Sequence, residues 1–545
     1  MSSIILETLS SKHLIAFSLL MLAAQISFIF IGLKAPSPTK AYKFTATTCK
    51  AHDKGKLKQW YDPDQCQEID IRNIPSNIPA DEIVFTVRIP NGYPQISRWN
   101  QYLLVLMNVD VEYDKLRPND SKSNISYNVR LGYTNNLKTS WSLIAKADET
   151  RPLHCSKLQS EADVSNYICD YITLFEIGSC HYQYYLINIK LPTHHGMNSK
   201  IGPISEITFV GILQQGAFTE IWLIIKSVAT LFIIPIVIKF RISIYKNRQP
   251  QLFERMLYAL GISAIIVDLP VEWLTLWFNM PQLLLLNDIR TGIFNMALFI
   301  FWAIFVGEHS LEQGKRNNLK TYWKQIIIII LSCLSLLIFD LCERGIQLSN
   351  PFYSIWATEG GRRIAVSLNI SSCNIIKNNK IYLHRKLVIN ILYGFIIVAA
   401  ICICLYLVSI VAMVIRVLRG MQTRQGALPH MQQSRRMFYE GLIYRFRFQL
   451  LFSVICAVLT VAFVIINSLS HFKEESLDED EQSDLQIASA FLTGIYGLWN
   501  IYTFTVIFLY CPSNKVDGQN DQELTTLNED QHSVIYRESG KESYH

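Results

Sequence analysis

The chain has 545 residues, 50% of them hydrophobic and only 17% charged, against about one quarter charged in soluble domains. Much of it is therefore expected to lie in lipid. The formal net charge of +6 is small and is spread over loops on one side of a membrane, so it argues topology and excludes a nucleic-acid partner. In chain order, residues 1–13 are followed by an apolar run from Leu14 to Leu33 whose only strongly polar member is Gln25. A signal-peptide core spans about 7–15 residues. This longer run predicts a membrane anchor, at 14–33, that also targets the chain to the secretory pathway.

Residues 34–218 change character. Pro and polar residues appear, and apolar runs shorten to strand length with alternation, as in Glu82–Pro90, Tyr102–Tyr113, Ile125–Thr134, Tyr184–Pro192 and Glu206–Gln214. Period-two patterning predicts an all-β, sandwich-like domain. It carries Cys49, Cys66, Cys155, Cys169 and Cys180 and the glycosylation sequons at Asn119 and Asn124. Cysteines and sequons together place it on the luminal or extracellular side.

Seven further apolar segments follow, at 219–240, 255–278, 291–308, 325–342, 392–417, 447–468 and 486–510, each near the about 17–25 residues of a spanning helix. With the anchor they predict a bundle of eight transmembrane helices. Basic residues collect in alternate loops, as the positive-inside rule requires: Arg241, Lys246, Arg248 and Arg255, then Lys315, Arg316, Lys320 and Lys324, then Arg419, Arg424, Arg435, Arg436 and Arg445. The acidic loop 469–485 falls on the luminal side, and both termini are expected in the cytoplasm, with a disordered tail at 511–545. Loop 357–390 breaks the rule: it falls on the luminal side yet carries Arg362, Arg363, Lys377, Lys380, Arg385 and Lys386, beside a sequon at Asn369 and Cys373.

Little in the chain suggests catalysis. No histidine lies deep in an apolar segment, which weakens proton-relay, haem and acyltransferase chemistry. No Cys/His spacing fits a zinc site and no glycine-rich loop cradles phosphate, so neither metal nor cofactor is expected. Cys402 and Cys404, inside a helix, read as packing. The ionisable residues entering the bundle are Asp268, Glu272, Asp288, Arg290, Asp340, Glu343 and Arg344. A charge in hydrocarbon is costly, and these cluster at the luminal ends of three neighbouring helices. They read either as an ion-pair network fixing helix ends or as the rim of a cavity open to the lumen. Tyr439-Glu440-Gly441-Leu442 lies in the loop before the seventh segment. It reads either as a Tyr-x-x-apolar sorting peptide, bound by an adaptor in extended form, or as a loop packing on the bilayer.

At Pro270-Val271-Glu272-Trp273, Asp288-Ile289-Arg290, Gly307-Glu308-His309, Cys342-Glu343-Arg344-Gly345, Asn350 to Trp356, Tyr439 to Ile443 and Gly494 to Asn500, the chain resembles the Wntless family, carriers of acylated Wnt proteins. The likeness runs nearly the whole length. It implies a non-enzymatic transport receptor that takes palmitoleoylated Wnt from endoplasmic reticulum or Golgi to the cell surface and recycles through endosomes. It further implies that Tyr439 and Leu442 belong to an endocytic signal read by a clathrin adaptor before retromer-dependent retrieval. Without the resemblance, a seven-helix signalling receptor with a β-rich ectodomain fits the same periodicity.

Four cysteines of this family match Cys49, Cys66, Cys155 and Cys169, and the expectation is Cys49–Cys66 and Cys155–Cys169, each closing a short loop. Cys180 is a fifth. About thirty residues around Arg362–Asn390 have no counterpart in the family. For the cargo, apolar walls are expected near Trp273, Phe301, Trp302, Phe339, Phe352, Tyr353 and Trp356, with Glu272, Arg290 and Arg344 meeting the peptide backbone of the acylated hairpin.

Overall fold

The computed structural model describes residues 4–512 apart from 54–55, 58, 71–78, 92–94, 113–122, 139, 158–165, 199–200, 247–248, 311–317, 355–379, 428–432 and 475–480; in some helical stretches, among them 380–393, 433–439 and 481–487, it describes the backbone alone. Asn119, Trp356, Asn369, Cys373 and the tail beyond residue 512 lie outside the described residues.

The chain opens with a short helix α1 (Ile5–Thr8) and the anchor α2 (Ser11–Lys34). Thirteen strands follow: β1 (Thr39–Thr45), β2 (Thr47–Lys50), β3 (His52–Asp53), β4 (Lys56–Leu57), β5 (Ile83–Ile89), β6 (Tyr102–Glu112), β7 (Ser123–Thr134), β8 (Ser142–Leu153), β9 (Cys155–Lys157), β10 (Asn166–Cys169), β11 (Ile172–Gly178), β12 (Tyr184–Lys190) and β13 (Ile204–Gln214). One sheet runs β1-β13-β6-β10-β9 with β11 also on β6, and the other β2-β5-β12-β7-β8. All pairs in the two sheets are antiparallel. Along β6 every second side chain, Leu103, Val105, Met107, Val109 and Val111, is buried, because alternation puts one face of the strand inward. Those residues meet Val87, Ile89, Val129, Leu131, Ile187 and Ile189 of the opposite sheet in one core, which is the expected sandwich. Central β12 is covered on its second face too. Asn188 receives the amide of Tyr61 at 3.0 Å and donates to the Tyr61 carbonyl at 2.7 Å. The covering segment is tied by a disulfide between Cys49 and Cys66, and a second joins Cys155 to Cys169 across β9 and β10. Cys180 is a buried free thiol whose pKa burial pushes up to about 12.

Strand β13 leads directly into the bundle: α3 (Gly216–Tyr245), α4 (Leu252–Asp268), α5 (Leu283–Ser310), α6 (Trp323–Ser349), α7 (Lys380–Ala427), α8 (Gln433–Glu474) and α9 (Glu481–Leu509). With α2, eight helices among the described residues are long and apolar enough to cross a membrane. The anchor packs along α9, where a methyl group at Gly32 or Gly497 would collide with Thr493 or Phe28; small residues let the two backbones approach. Gln25, the lone polar residue of the anchor, donates to the Gly494 carbonyl at 2.9 Å. Far from the β-domain, the Ile5 amide donates to the Cys511 carbonyl at 3.0 Å, so α1 is tied to the end of α9.

Three expectations change. The segment expected as one helix over 255–278 breaks at Asp268, since Pro270 has no N–H to continue the ladder, and resumes as a 3-10 turn over Val271–Leu276. Helix α7 starts at Lys380 and not near 392, so residues 380–390 of the expected loop are helical. Likewise Tyr439 and Leu442 fall inside α8 and not in a loop, with nothing in the local sequence but Gly441 to interrupt it.

Candidate functional site

The expected polar residues do converge at the end of the bundle that carries the β-domain, around the break after α4. Glu272 accepts from Lys226 of α3 at 2.5 Å and lies 3.7 Å from Arg290 of α5. Arg290 in turn caps α4, donating to the carbonyls of Ile266 at 2.6 Å, Val267 at 2.7 Å, and Leu269. Those carbonyls are orphaned by the helix end and need donors. Asp268 accepts from Tyr496 at 2.7 Å and Asn500 at 3.2 Å, both on α9. Glu272, Asp268 and Arg290 are 2%, 1% and 5% exposed. They engage one another and the backbone, and sit inside the wall of the bundle.

The same region seats the β-domain. Gln101 donates to Thr275 Oγ1 at 3.2 Å and Arg98 to the Leu276 carbonyl at 2.9 Å, while Trp99 meets Trp273 edge-on with ring centroids 5.7 Å apart. Trp273 also donates to Ser227 at 3.2 Å. Across the interface Arg344 pairs with Glu176 of β11 at 2.5 Å and approaches Asp288 at 3.6 Å. The tract after α6 plugs into the sandwich: Phe352 is 1% exposed, stands edge-on to Phe175 at 6.0 Å, and its carbonyl accepts from Arg151 at 2.6 Å. Phe352 thus belongs to the β-domain core. Phe339 clusters with Tyr353, Cys342, Phe395 and Ile396 between α6 and α7.

Below this seat the bundle is unevenly filled. Helix α5 packs against α4, α6 and α7 and reaches α9 through Trp302, whose ring stacks on Tyr502 at 6.3 Å. In its distal half, away from the β-domain, residues 301 and 303–307 are all buried, and Trp302 alone in that stretch is only half-buried. In the proximal half Thr291 and Asn295 are exposed, although helical phase puts both on the Trp302 face. Phe299 on that side accepts from Tyr406 of α7 at 2.9 Å through its carbonyl, so this face looks between α7 and α9. At the distal end α8 closes it: Phe305 and Val306 cluster with Val417 of α7 and Ile443 and Phe446 of α8. Nearer the β-domain α8 does not. Residues 457–459, 461 and 464–466 of α8 are exposed, a spread of about 220° at 100° per residue, and on α9 Leu492 is 37% exposed. In the proximal half α5, α8 and α9 thus leave an uncovered, mostly apolar stretch, below which Trp302 stands half-buried.

Of the residues expected at a cargo site, Trp302 stands half-buried below this uncovered stretch, whereas Phe301 is fully buried in the packed core. Glu272, Arg290, Trp273 and Arg344 build its supporting frame and the domain seat, and Phe352 lies in the sandwich. Sequence reasoning missed Lys226, although a lysine within an apolar run was signal enough. Thr291 and Asn295 were missed because isolated polar residues in a spanning helix are common. Asn124 lies on β7 with its side chain exposed.

A β-sandwich seated on eight helices long and apolar enough to cross a membrane defines a multi-pass membrane protein with a β-rich domain. Residues 47–214 match the family described as Wntless, GOLD domain, and 215–514 the family described as Wntless-like, transmembrane domain. Protein wntless homolog of Gallus gallus is 38% identical over 95% of this chain and 93% of its own length, and that of Homo sapiens 38% over the same shares. Protein wntless homolog B of Xenopus laevis is 36% identical over the full length of both. The chain belongs to the Wntless family. Membership gives it a role in Wnt secretion, as a transport protein and not an enzyme.

Proposed function

We propose that the protein is a transport receptor that binds palmitoleoylated Wnt in the endoplasmic reticulum and Golgi and carries it to the plasma membrane. It then returns through endosomes by way of a clathrin adaptor and retromer. The observation that carries this reading is the uncovered stretch in the proximal half of the bundle, read as an opening: α5 exposes Thr291 and Asn295 there, whereas residues 303–307 of its distal half are all buried. Polar side chains within a membrane span favour the bundle interior or a cavity over lipid tails. Burial of a fatty chain is worth about 0.8 kcal/mol per CH₂, so a monounsaturated sixteen-carbon chain cannot travel exposed in an aqueous lumen and is stabilised strongly in an apolar intramembrane space.

The rest of the site supports that role. The Lys226–Glu272–Arg290 network holds the broken end of α4 against α3 and α5 and so fixes the position of α5. The plug at Phe352 and the Arg344–Glu176 pair fix the β-domain over α3 to α6, leaving the mouth beside α7, α8 and α9 for the protein part of the cargo. Tyr439 and Leu442 serve retrieval, and since they stand on α8 the first turns of that helix unwind when an adaptor reads them in extended form. Co-precipitation of wild-type and acylation-deficient Wnt with the full-length carrier tests the reading. Recovery of the acylated form alone is expected. Equal recovery of both forms contradicts it.

A further inference from the structure

Resting on the acyl-carrier reading above, we infer that Trp302, Tyr502 and Phe452 form a rigid floor that sets the length of fatty chain the carrier accepts. Trp302 and Phe452 stack on Tyr502 with interplanar angles of 11° and 15°, and Trp499 closes on the same ring edge-on at 5.5 Å. Tyr502 is fully buried, and its hydroxyl is fixed by Gln449 at 2.8 Å and Ser453 at 3.0 Å. A ring clamped on its faces, on its edge and at its polar tip cannot yield without breaking buried hydrogen bonds.

Beneath that floor there is no room. Phe301, Ala303, Ile304, Phe305 and Val306 are all 0–1% exposed, and Phe305 stacks on Phe446 of α8 at 5.6 Å. Close-packed interiors do not admit an extra methylene without strain. Above the floor lies the open stretch bounded by Thr291, Asn295 and Leu492. From Arg290 at the frame to Trp302 at the floor the helix descends roughly 18 Å at its 1.5 Å rise, which gives the space a fixed depth. Selectivity is then asymmetric. A chain shorter than the space loses roughly fourfold in affinity per missing methylene. A longer one gains nothing from its extra carbons and must hold them in water or push its attachment point out of the mouth.

The test uses the full-length carrier in lipid nanodiscs and synthetic peptides acylated on serine with chains graded by two carbons on either side of sixteen. Wild type should show a sharp optimum, and Trp302→Leu should move it to a longer chain, with roughly tenfold tighter binding of that chain than wild type shows. In parallel, a photoreactive group at the chain's methyl end should label Trp302, Tyr502 or Phe452 of the unaltered protein, which decides the matter should Trp302→Leu fail to fold. An optimum unchanged in a folded Trp302→Leu variant, or labelling confined to residues nearer the mouth, overturns the floor while leaving the carrier reading intact. Failure of wild type to bind any acylated peptide overturns both.

Discussion

Replacing Glu272 by alanine should be among the most damaging single changes in the chain. The carboxylate is 2% exposed and is the shared partner of Lys226 at 2.5 Å and Arg290 at 3.7 Å. Its loss leaves two cations in the wall of a membrane bundle facing each other, and removing one partner from a buried pair costs about 3–5 kcal/mol. That equals a fall of roughly two to three and a half powers of ten in the folded-to-unfolded ratio. Arg290 also holds the carbonyls that end α4, so the damage should spread to the β-domain seat at Gln101 and Arg98. Thermal unfolding of the purified protein in detergent, with glycan maturation as the cellular readout of export, measures it. Pairing Glu272→Gln with Lys226→Met should cost less than the two singles summed, by about 0.5–3 kcal/mol, because residues in one network couple. A melting temperature within error of wild type for Glu272→Ala, or strict additivity in the double variant, would refute the view that this network ties α3, α4 and α5 together.

Phe352→Ala should destabilise the sandwich by about 3–5 kcal/mol, as expected for a fully buried aromatic, seen as a lower denaturant midpoint for the β-domain's transition. Reducing the disulfide-closed loop by Cys155→Ser, across a sequence separation of 14, should cost about 3 kcal/mol and retain the protein in the endoplasmic reticulum, read from an immature glycan. Tyr439→Ala should raise the surface pool and slow uptake in biotinylation assays; unchanged uptake would return Tyr439 to a packing role. Gly497→Leu should push the anchor off α9, since even a methyl there meets the Phe28 ring, and engineered cysteine cross-links between α2 and α9 should then fail.

Much of this architecture is written in local pattern. The alternating runs at Tyr102, Ile125 and Glu206 became β6, β7 and β13 because one face of each strand had to be buried. Strand β8 escaped notice because it is an edge strand whose first half is largely exposed, so nothing forced apolar residues into alternation there. Phe352 was legible as an apolar residue in a distinctive tract, but its destination was not, since a plug that crosses from bundle to sandwich is a tertiary contact with no periodicity. The charged cluster illustrates the same divide. Its convergence could be read from helix ends, whereas its role as internal framing depended on Lys226 and on the orphaned carbonyls that Pro270 creates in α4. The uncovered stretch lay beyond sequence reading, because which face of a spanning helix its neighbours cover is a tertiary relation with no periodicity.

The most direct test is to fill that opening. Asn295 is exposed within the membrane span on the face that leads down to Trp302, so Asn295→Trp should occupy the space without disturbing the packed distal half. The account predicts a variant that folds, matures and reaches the cell surface like wild type yet recovers no acylated Wnt in co-precipitation. Wild-type recovery of acylated Wnt by a folded Asn295→Trp protein would show that the chain is carried elsewhere.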